Sequence, residues 1–404
     1  MTFTTPVEPT ADLADPGFHA GTAAHDHLRQ LRRHDPVAWQ PARDGVPGFW
    51  NVTRYTDVVQ VCRSADVFAS GRGNVLNTLL AGGDTAAQQM LAVSDGPRHA
   101  AIRKLLWRAL TPEALSHTAN RVRANTGDLI RRAVADGSCE FAHDVAAHIP
   151  LMAICDLFGI PASDRAFILR HASSALSSDT EEHTAEETMR SKSEILLYFT
   201  RFVADCSRQP SSSRSPLMDV LVDGTIDGQK LRSEEIIYNC YSLILGGDET
   251  TRLAMISGVL ELVRRPDQWT LLKSGTPIDE AVNEVLRWST PVMHVGRTAG
   301  ASVTLGAREI VEGDLIIAWL SSANFDEKEF SDPTSFDVRR TPNRHVTLSH
   351  GPHFCIGAYL AKIEVAALLQ TMREEVREME LTGEPLPIYS NLLSGYSKLP
   401  LRMQ

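Results

Sequence analysis

Cys355 stands in "SHGPHFCIGAYLAKIE", residues 349–364, behind a histidine and just ahead of an amphipathic helical pattern. Gly351 and Gly357 let the backbone come close to another group, and Pro352 stiffens the turn between them. A cysteine at a helix N-terminus faces backbone N–H groups and the positive end of the dipole, which favours the thiolate. Such a thiolate suits a nucleophile or a metal ligand; a buried structural thiol is the plain alternative. His350, His353 and Cys355 form an H-x-x-H-x-C cluster that His345 could complete as a zinc site. Structural zinc, however, usually draws on four Cys or His ligands at recognisable spacings.

A second candidate is "LILGGDETTR", residues 243–252, inside a long apolar helical run. Two glycines in a helix interior cost about 1 kcal/mol each relative to alanine, so Gly246 and Gly247 suggest a compensating purpose. They open a groove on one helix face, beside which Glu249 and Thr250 place a carboxylate and a hydroxyl. A mid-helix threonine can also loosen a backbone hydrogen bond. The dented helix could admit a small ligand together with protons; a close helix crossing with a solvated acidic face is the structural alternative. Glu284 and Arg287 in "NEVLRWSTP" share a helix face at i,i+3, a spacing that usually marks a weak surface ion pair. His99 and Arg103 share another face at i,i+4 and could hold an anion jointly, or could simply be an exposed basic face. Arg297, in "MHVGRTA", is an isolated cation in a strand-like run.

Helices must position most of these residues. Apolar residues at three and four spacing predict helices in "GPRHAAIRKLLWRALTPEAL", "ELVRRPDQWTLLKS", "IDEAVNEVLRW" and "IGAYLAKIEVAALLQTMREEV". β-favouring runs around an Asp-Gly turn predict a hairpin near residues 37–53, and alternation with glycine turns predicts a small late sheet in "SVTLGAREIVEGDLIIAWL". The Ser/Pro-rich stretch 207–217 reads as a surface loop between helices. The expected architecture is mainly α with small β-sheets, a single large domain over residues 1–404.

A net charge of -10 argues against a nucleic-acid partner. The first thirty residues lack a basic segment followed by an apolar one, and no apolar run reaches the roughly 18 residues of a membrane span. The expectation is a cytoplasmic, monomeric protein with no membrane association. Six scattered cysteines without a C-x-x-C pair do not form a disulfide framework, and all but Cys355 read as small buried hydrophobes.

In chain order these pieces resemble the cytochrome P-450 family of haem-thiolate monooxygenases, the soluble bacterial kind that tailors secondary metabolites. The family carries a cysteine loop F-x-x-G-x-H-x-C-x-G, a helical E-x-x-R pair and a helix with A/G-G-x-D/E-T; here they stand as "LSHGPHFCIG", "EVLR" and "GGDET", with the early H-x-x-x-R and the later "GRTA". The resemblance covers nearly the whole chain and implies a cytochrome P-450 fold. It implies haem b, with Cys355 as the iron's axial thiolate and His99, Arg103, Arg297 and His353 on the propionates. Glu249 and Thr250 match the acid and alcohol that deliver protons to dioxygen, Gly246 and Gly247 make room for it, and Glu284 with Arg287 matches a buried structural ion pair. Leu348 replaces the usual Phe of the cysteine loop, and Phe325 in "ANFD" replaces a usual Arg.

The implied reaction reduces dioxygen and inserts one oxygen atom into an organic substrate, by hydroxylation or epoxidation. Electrons from NAD(P)H would arrive through a ferredoxin and a ferredoxin reductase, docking on the cysteine-loop side near Arg63, Arg108 and Lys362. By position in the family, Leu76, Leu79, Leu80, Leu243, Val292, Met293, Leu392 and Leu393 are expected to frame the substrate. "LRWSTPVMHVGRTA" and "GGDETTR" are similar to stretches of antibiotic-pathway members that oxidise amino acids or peptides on carrier proteins; a free polyketide, macrolide or terpenoid is the competing substrate class. Oxidative coupling, isomerisation or peroxygenation is the alternative activity, and intact Glu249 and Thr250 favour ordinary oxygen activation.

Overall fold

The structure, a computed structural model, describes residues 12–43, 45–176 and 185–404. Its axis is the helix Ser233–Arg264, apolar over most of its circumference and buried along most of its length. A helix that is apolar on all sides must be covered on all sides. The helices His148–Phe158, Ala185–Arg208, Ile278–Ser289 and Ala358–Glu375 do so, and with it they form the main hydrophobic core.

The helix predicted from "GPRHAAIRKLLWRALTPEAL" runs over Gly96–Trp107 and stops earlier than its apolar pattern. "ELVRRPDQWTLLKS" is divided at Pro266, which ends the long helix at Arg264 and opens the next, Pro266–Lys273. "IDEAVNEVLRW" gives Ile278–Ser289, and the pattern after the cysteine loop gives Ala358–Glu375. The segment 207–217 holds the end of one helix, a single 3₁₀ turn at Ser211–Ser213 and the start of the helix Pro216–Asp223, as expected of a connection.

The early hairpin forms as Val37–Gln40 against Phe49–Val52, although Asp44 of its expected turn lies outside the described residues. It belongs to a five-stranded sheet that continues through Leu315–Trp319 and His294–Ala299 to Phe68–Ala69. Leu315–Trp319 is buried at every position because it is an inner strand with cover on both faces. Arg297 is paired in this sheet opposite Ile316, so a strand fixes its position. All six cysteines are free, and no described helix is long and apolar enough to cross a membrane.

Candidate active site

The chemistry-bearing stretches meet at a cavity of about 250 Å³ between the long helix, the helix Gly96–Trp107 and the cysteine loop. Gly246, Gly247 and Thr250 form one wall, Cys355 lies on another, and His99, Arg103 and His353 line it as well. The two glycines have different roles. A Cβ on Gly246 would meet nothing within 4 Å, whereas one on Gly247 would press on Ile154 Cδ1 at 3.1 Å. Gly246 therefore keeps space open, and Gly247 lets the helix His148–Phe158 approach. Thr250 Oγ1 donates to the Gly246 carbonyl at 2.8 Å, which ties its hydroxyl to the dented turn.

Glu249 is buried but does not line the cavity; it pairs with Arg252 at 2.5 Å. Successive helical residues point about 100° apart, so neighbours in sequence need not share a wall. The acid and alcohol expected side by side are thus separated here, Thr250 inside and Glu249 outside. Two further acids are brought close instead: Glu364 lines the cavity, and Asp248 is fully buried near it. Sequence reasoning missed both. Their signals were a second acid within "GGDET" and a lone glutamate on the apolar side of "AKIEVAALL".

The cysteine loop is held from behind. Cys355 N–H donates to the Leu348 carbonyl at 2.8 Å, and the helix begins at Ala358. Gly351 has φ +69°, and a Cβ there would come within 2.6 Å of the Cys62 carbonyl oxygen, so only glycine lets the loop rest on the helix Tyr55–Arg63. Leu348 lines the cavity in the place of the expected aromatic residue. Burial pushes the Cys355 thiol up, while the Gly357 N–H and the Arg103 charge pull it down. A bound cation would reverse the balance, since a coordinated thiol gives up its proton.

One end of the cavity collects basic groups from three distant segments. The rings of His99 and His353 lie 4.1 Å apart, and burial with the neighbouring His353 and Arg103 lowers His99 to about 4. His99 Nε2 is buried without a hydrogen-bond partner among the described residues, and so is Nε of Arg297. Arg297 is behind this end rather than on the cavity wall, donating to the Gly296 carbonyl at 2.7 Å. His353 is already engaged, 3.2 Å from Ser70 Oγ and 3.6 Å from an Asp95 oxygen. The zinc arrangement is not assembled: among the described residues no group of three or more His, Cys, Asp or Glu could hold a metal ion.

Of the eight apolar residues expected around a substrate, only Leu243 lines the cavity. Leu76, Leu79, Leu80 and Met293 pack with Phe49 and Trp319 under the sheet. Val292, Leu392 and Leu393 gather around Leu253. Leu91, Ala92 and Ile154 take wall positions that the sequence did not single out.

Glu284 and Arg287 are both at 0% exposure and form a two-pronged pair, 2.8 Å for each contact. Arg287 also donates to the carbonyls of Asn324, Pro333 and Ser335, and Glu284 accepts from the Asp337 N–H, Asn343 and Arg340. Phe325 lies against the Arg287 guanidinium, 5.2 Å from its ring centre, and completes the enclosure. The surface pair that local spacing suggested is therefore a buried knot.

Comparison with known proteins agrees with this geometry. The profile of the family described as Cytochrome P450 matches residues 174–390. Cytochrome P450 NovI of Streptomyces niveus is 41% identical over 393 residues, covering 97% of this chain and 96% of that protein. This chain belongs to the cytochrome P450 family. A steroid C26-monooxygenase of Mycolicibacterium smegmatis is 30% identical over 95% of the chain and 91% of its own length. The crystal structure of P450 OxyD, involved in the biosynthesis of vancomycin-type antibiotics, superposes with a TM-score of 0.87 at 31% identity, covering 98% of this chain and 100% of that one. The fold is the P450 fold and the protein is a P450 monooxygenase.

Membership implies haem, and the cavity suits it. A soft sulfur donor reaches one wall, Gly246 leaves the facing wall open, and buried nitrogens without partners gather at one end, where acidic groups on the porphyrin rim would satisfy them.

Proposed function

We propose that this P450 hydroxylates or epoxidises an intermediate of an antibiotic-type natural product, with Cys355 as the axial thiolate. When bound, haem supplies reductive activation of dioxygen. The chain's own residues supply the rest. His99 and Arg103, from one helix, and Arg297, from a strand, would hold the propionates, and His353, anchored by Asp95 and Ser70, fixes the ring that lies 4.1 Å from His99. Gly246 leaves the space for dioxygen, and the Thr250 hydroxyl, tethered to the Gly246 carbonyl, is an alcohol on the cavity wall that can move a proton there. Glu249, paired with Arg252 outside the cavity, is a relay toward the surface rather than a direct donor.

The observation that carries the substrate class is the likeness, at 31% identity over 98% of this chain, to OxyD, which is involved in the biosynthesis of vancomycin-type antibiotics. Leu91, Ala92, Leu243 and Ile154 give a mainly apolar wall that selects by shape. Electrons would come from NAD(P)H through a ferredoxin and its reductase. Their docking face is marked by Trp107 and Phe354, 43% and 41% exposed, beside exposed Arg63 and Arg108. Lys362, expected in the same role, is tied to Asn283 at 2.9 Å in a separate groove.

A binding screen tests the assignment. Aromatic amino acids, free and as thioesters on a carrier protein, are titrated into the holoenzyme beside polyketides and steroids, and the Soret band is followed for the low-to-high-spin shift. The proposal expects a shift with natural-product intermediates; a shift with steroids alone would sink it.

A further inference from the structure

One stripe of the long helix faces the cavity: Asn239, Ser242, Leu243, Gly246 and Thr250, at the three- and four-residue steps that share a helix face. Asn239 heads the stripe at 1% exposure. Asparagine is a poor helix former, and a buried amide must find hydrogen-bond partners. Two of its three partners lie on another segment. Oδ1 accepts from the Leu91 N–H at 3.0 Å, while Nδ2 donates to the Gln89 carbonyl at 3.0 Å and to the Glu235 carbonyl, one turn back, at 2.7 Å.

The C=O of Gln89 and the N–H of Leu91 flank Met90 and are the pair that a neighbouring parallel strand would satisfy. A primary amide carries the matching donor and acceptor on one plane. Asn239 thus stands in for a strand beside a segment that has none. Residues 81–95 join the helices Leu76–Leu80 and Gly96–Trp107 through turns and the single 3₁₀ turn Leu91–Val93. Gln88 has φ +60°, uncommon for a residue with a side chain, and its N–H donates to the Val93 carbonyl at 2.8 Å. The segment so folded presents Leu91 and Ala92 to the cavity. A further tie from the long helix, Arg232 to Gln89 Oε1 at 3.3 Å, is exposed, where water competes. Both protons of Asn239 Nδ2 are spent on Gln89 and Glu235, so the amide has no donor left for an organic ligand.

We propose that Asn239 is a positioning residue for substrate selection: by clamping Gln89 and Leu91 to the long helix, it holds Leu91 and Ala92 as the apolar wall that decides which molecules fit. It acts through Leu91 and does not bind the substrate itself. The proposal rests on the family assignment alone and holds whichever substrate class is correct.

The test uses holoenzyme of the wild type and N239L, with imidazole and 4-phenylimidazole as probes whose binding shifts the Soret band. Imidazole is small enough to need no wall, whereas the phenyl group of the larger probe must fill space that the wall bounds. N239L should weaken 4-phenylimidazole about tenfold and change imidazole less than twofold. Amide hydrogen exchange, read by mass spectrometry on peptides covering residues 86–93, should become about tenfold faster, with the helix Gly96–Trp107 unchanged. N239A, which adds no bulk, repeats both measurements should N239L not load haem. Leu91→Ala truncates the wall directly and should weaken 4-phenylimidazole as well; N239L added to L91A should then cost at most about twofold more. Unchanged exchange over residues 86–93 would show that Asn239 does not hold the segment and would overturn the proposal. A full tenfold loss on top of L91A would mean that Asn239 touches the probe itself, and would overturn it equally.

Discussion

Two buried polar regions of this P450 are built on opposite rules. In the knot around Glu284 and Arg287, the charged atoms meet partners from the helix Ile278–Ser289 and from the segment 324–343. Around the cavity, by contrast, His99 Nε2, Arg297 Nε, both oxygens of Asp248 and Oε1 of Glu364 are left without hydrogen-bond partners among the described residues. A buried polar group without a partner costs about 1–3 kcal/mol. Such groups persist where a ligand or a proton completes them, and the satisfied knot is the reference that makes them stand out. Glu284 and Arg287 hold two parts of the chain together, while the unsatisfied set holds a place for something else.

The largest effect should come from the unsatisfied region. Cys355→Ser should abolish monooxygenase activity and the red-shifted Soret band of the reduced, CO-bound protein; an unchanged band would remove Cys355 as the ligand. Next is the knot. Arg287→Ala leaves Glu284 buried with only part of its partners and should cost about 3–5 kcal/mol, seen as loss of folded protein in a denaturant titration. A loss below 1 kcal/mol would mean that the knot is not structural. His99→Ala removes one group at the basic end and should weaken haem retention by about tenfold while leaving the apoprotein's melting unchanged, in keeping with a charge-assisted bond of roughly 1.5–3 kcal/mol. The smallest effect is a gain. Gly246→Ala should stabilise the fold by about 1 kcal/mol, because a helix favours alanine and the new Cβ meets nothing. Oxygen-dependent turnover should fall in the same variant, and if turnover held while stability rose, Gly246 would not be keeping space for dioxygen.

The contrast also explains what could be read along the chain. Helix positions followed from apolar spacing, and the pieces "GGDET", "EVLR" and the cysteine loop were legible because each needs fixed residue types at fixed local spacing. The wall of the cavity was less legible. Seven of the eight apolar residues chosen by position pack into the core clusters instead, since leucine in a core and leucine in a pocket look alike in sequence. Glu249 was placed beside Thr250 by adjacency, but the helix turns it outward to Arg252.

By itself the sequence determined the mainly helical fold, the family, the cysteine loop with its obligatory Gly351 and the two glycines in the long helix, because those demands are local: a backbone angle, a turn, a periodic face. Only the tertiary structure decided that Glu284 and Arg287 are buried, that the rings of His99 and His353 meet, that Gly246 faces space while Gly247 faces Ile154, and that Asp248 and Glu364, 116 positions apart, face each other's charge. Burial and encounter depend on how helices distant in sequence pack, and that packing sets both the solvation of a charge and the identity of its neighbour.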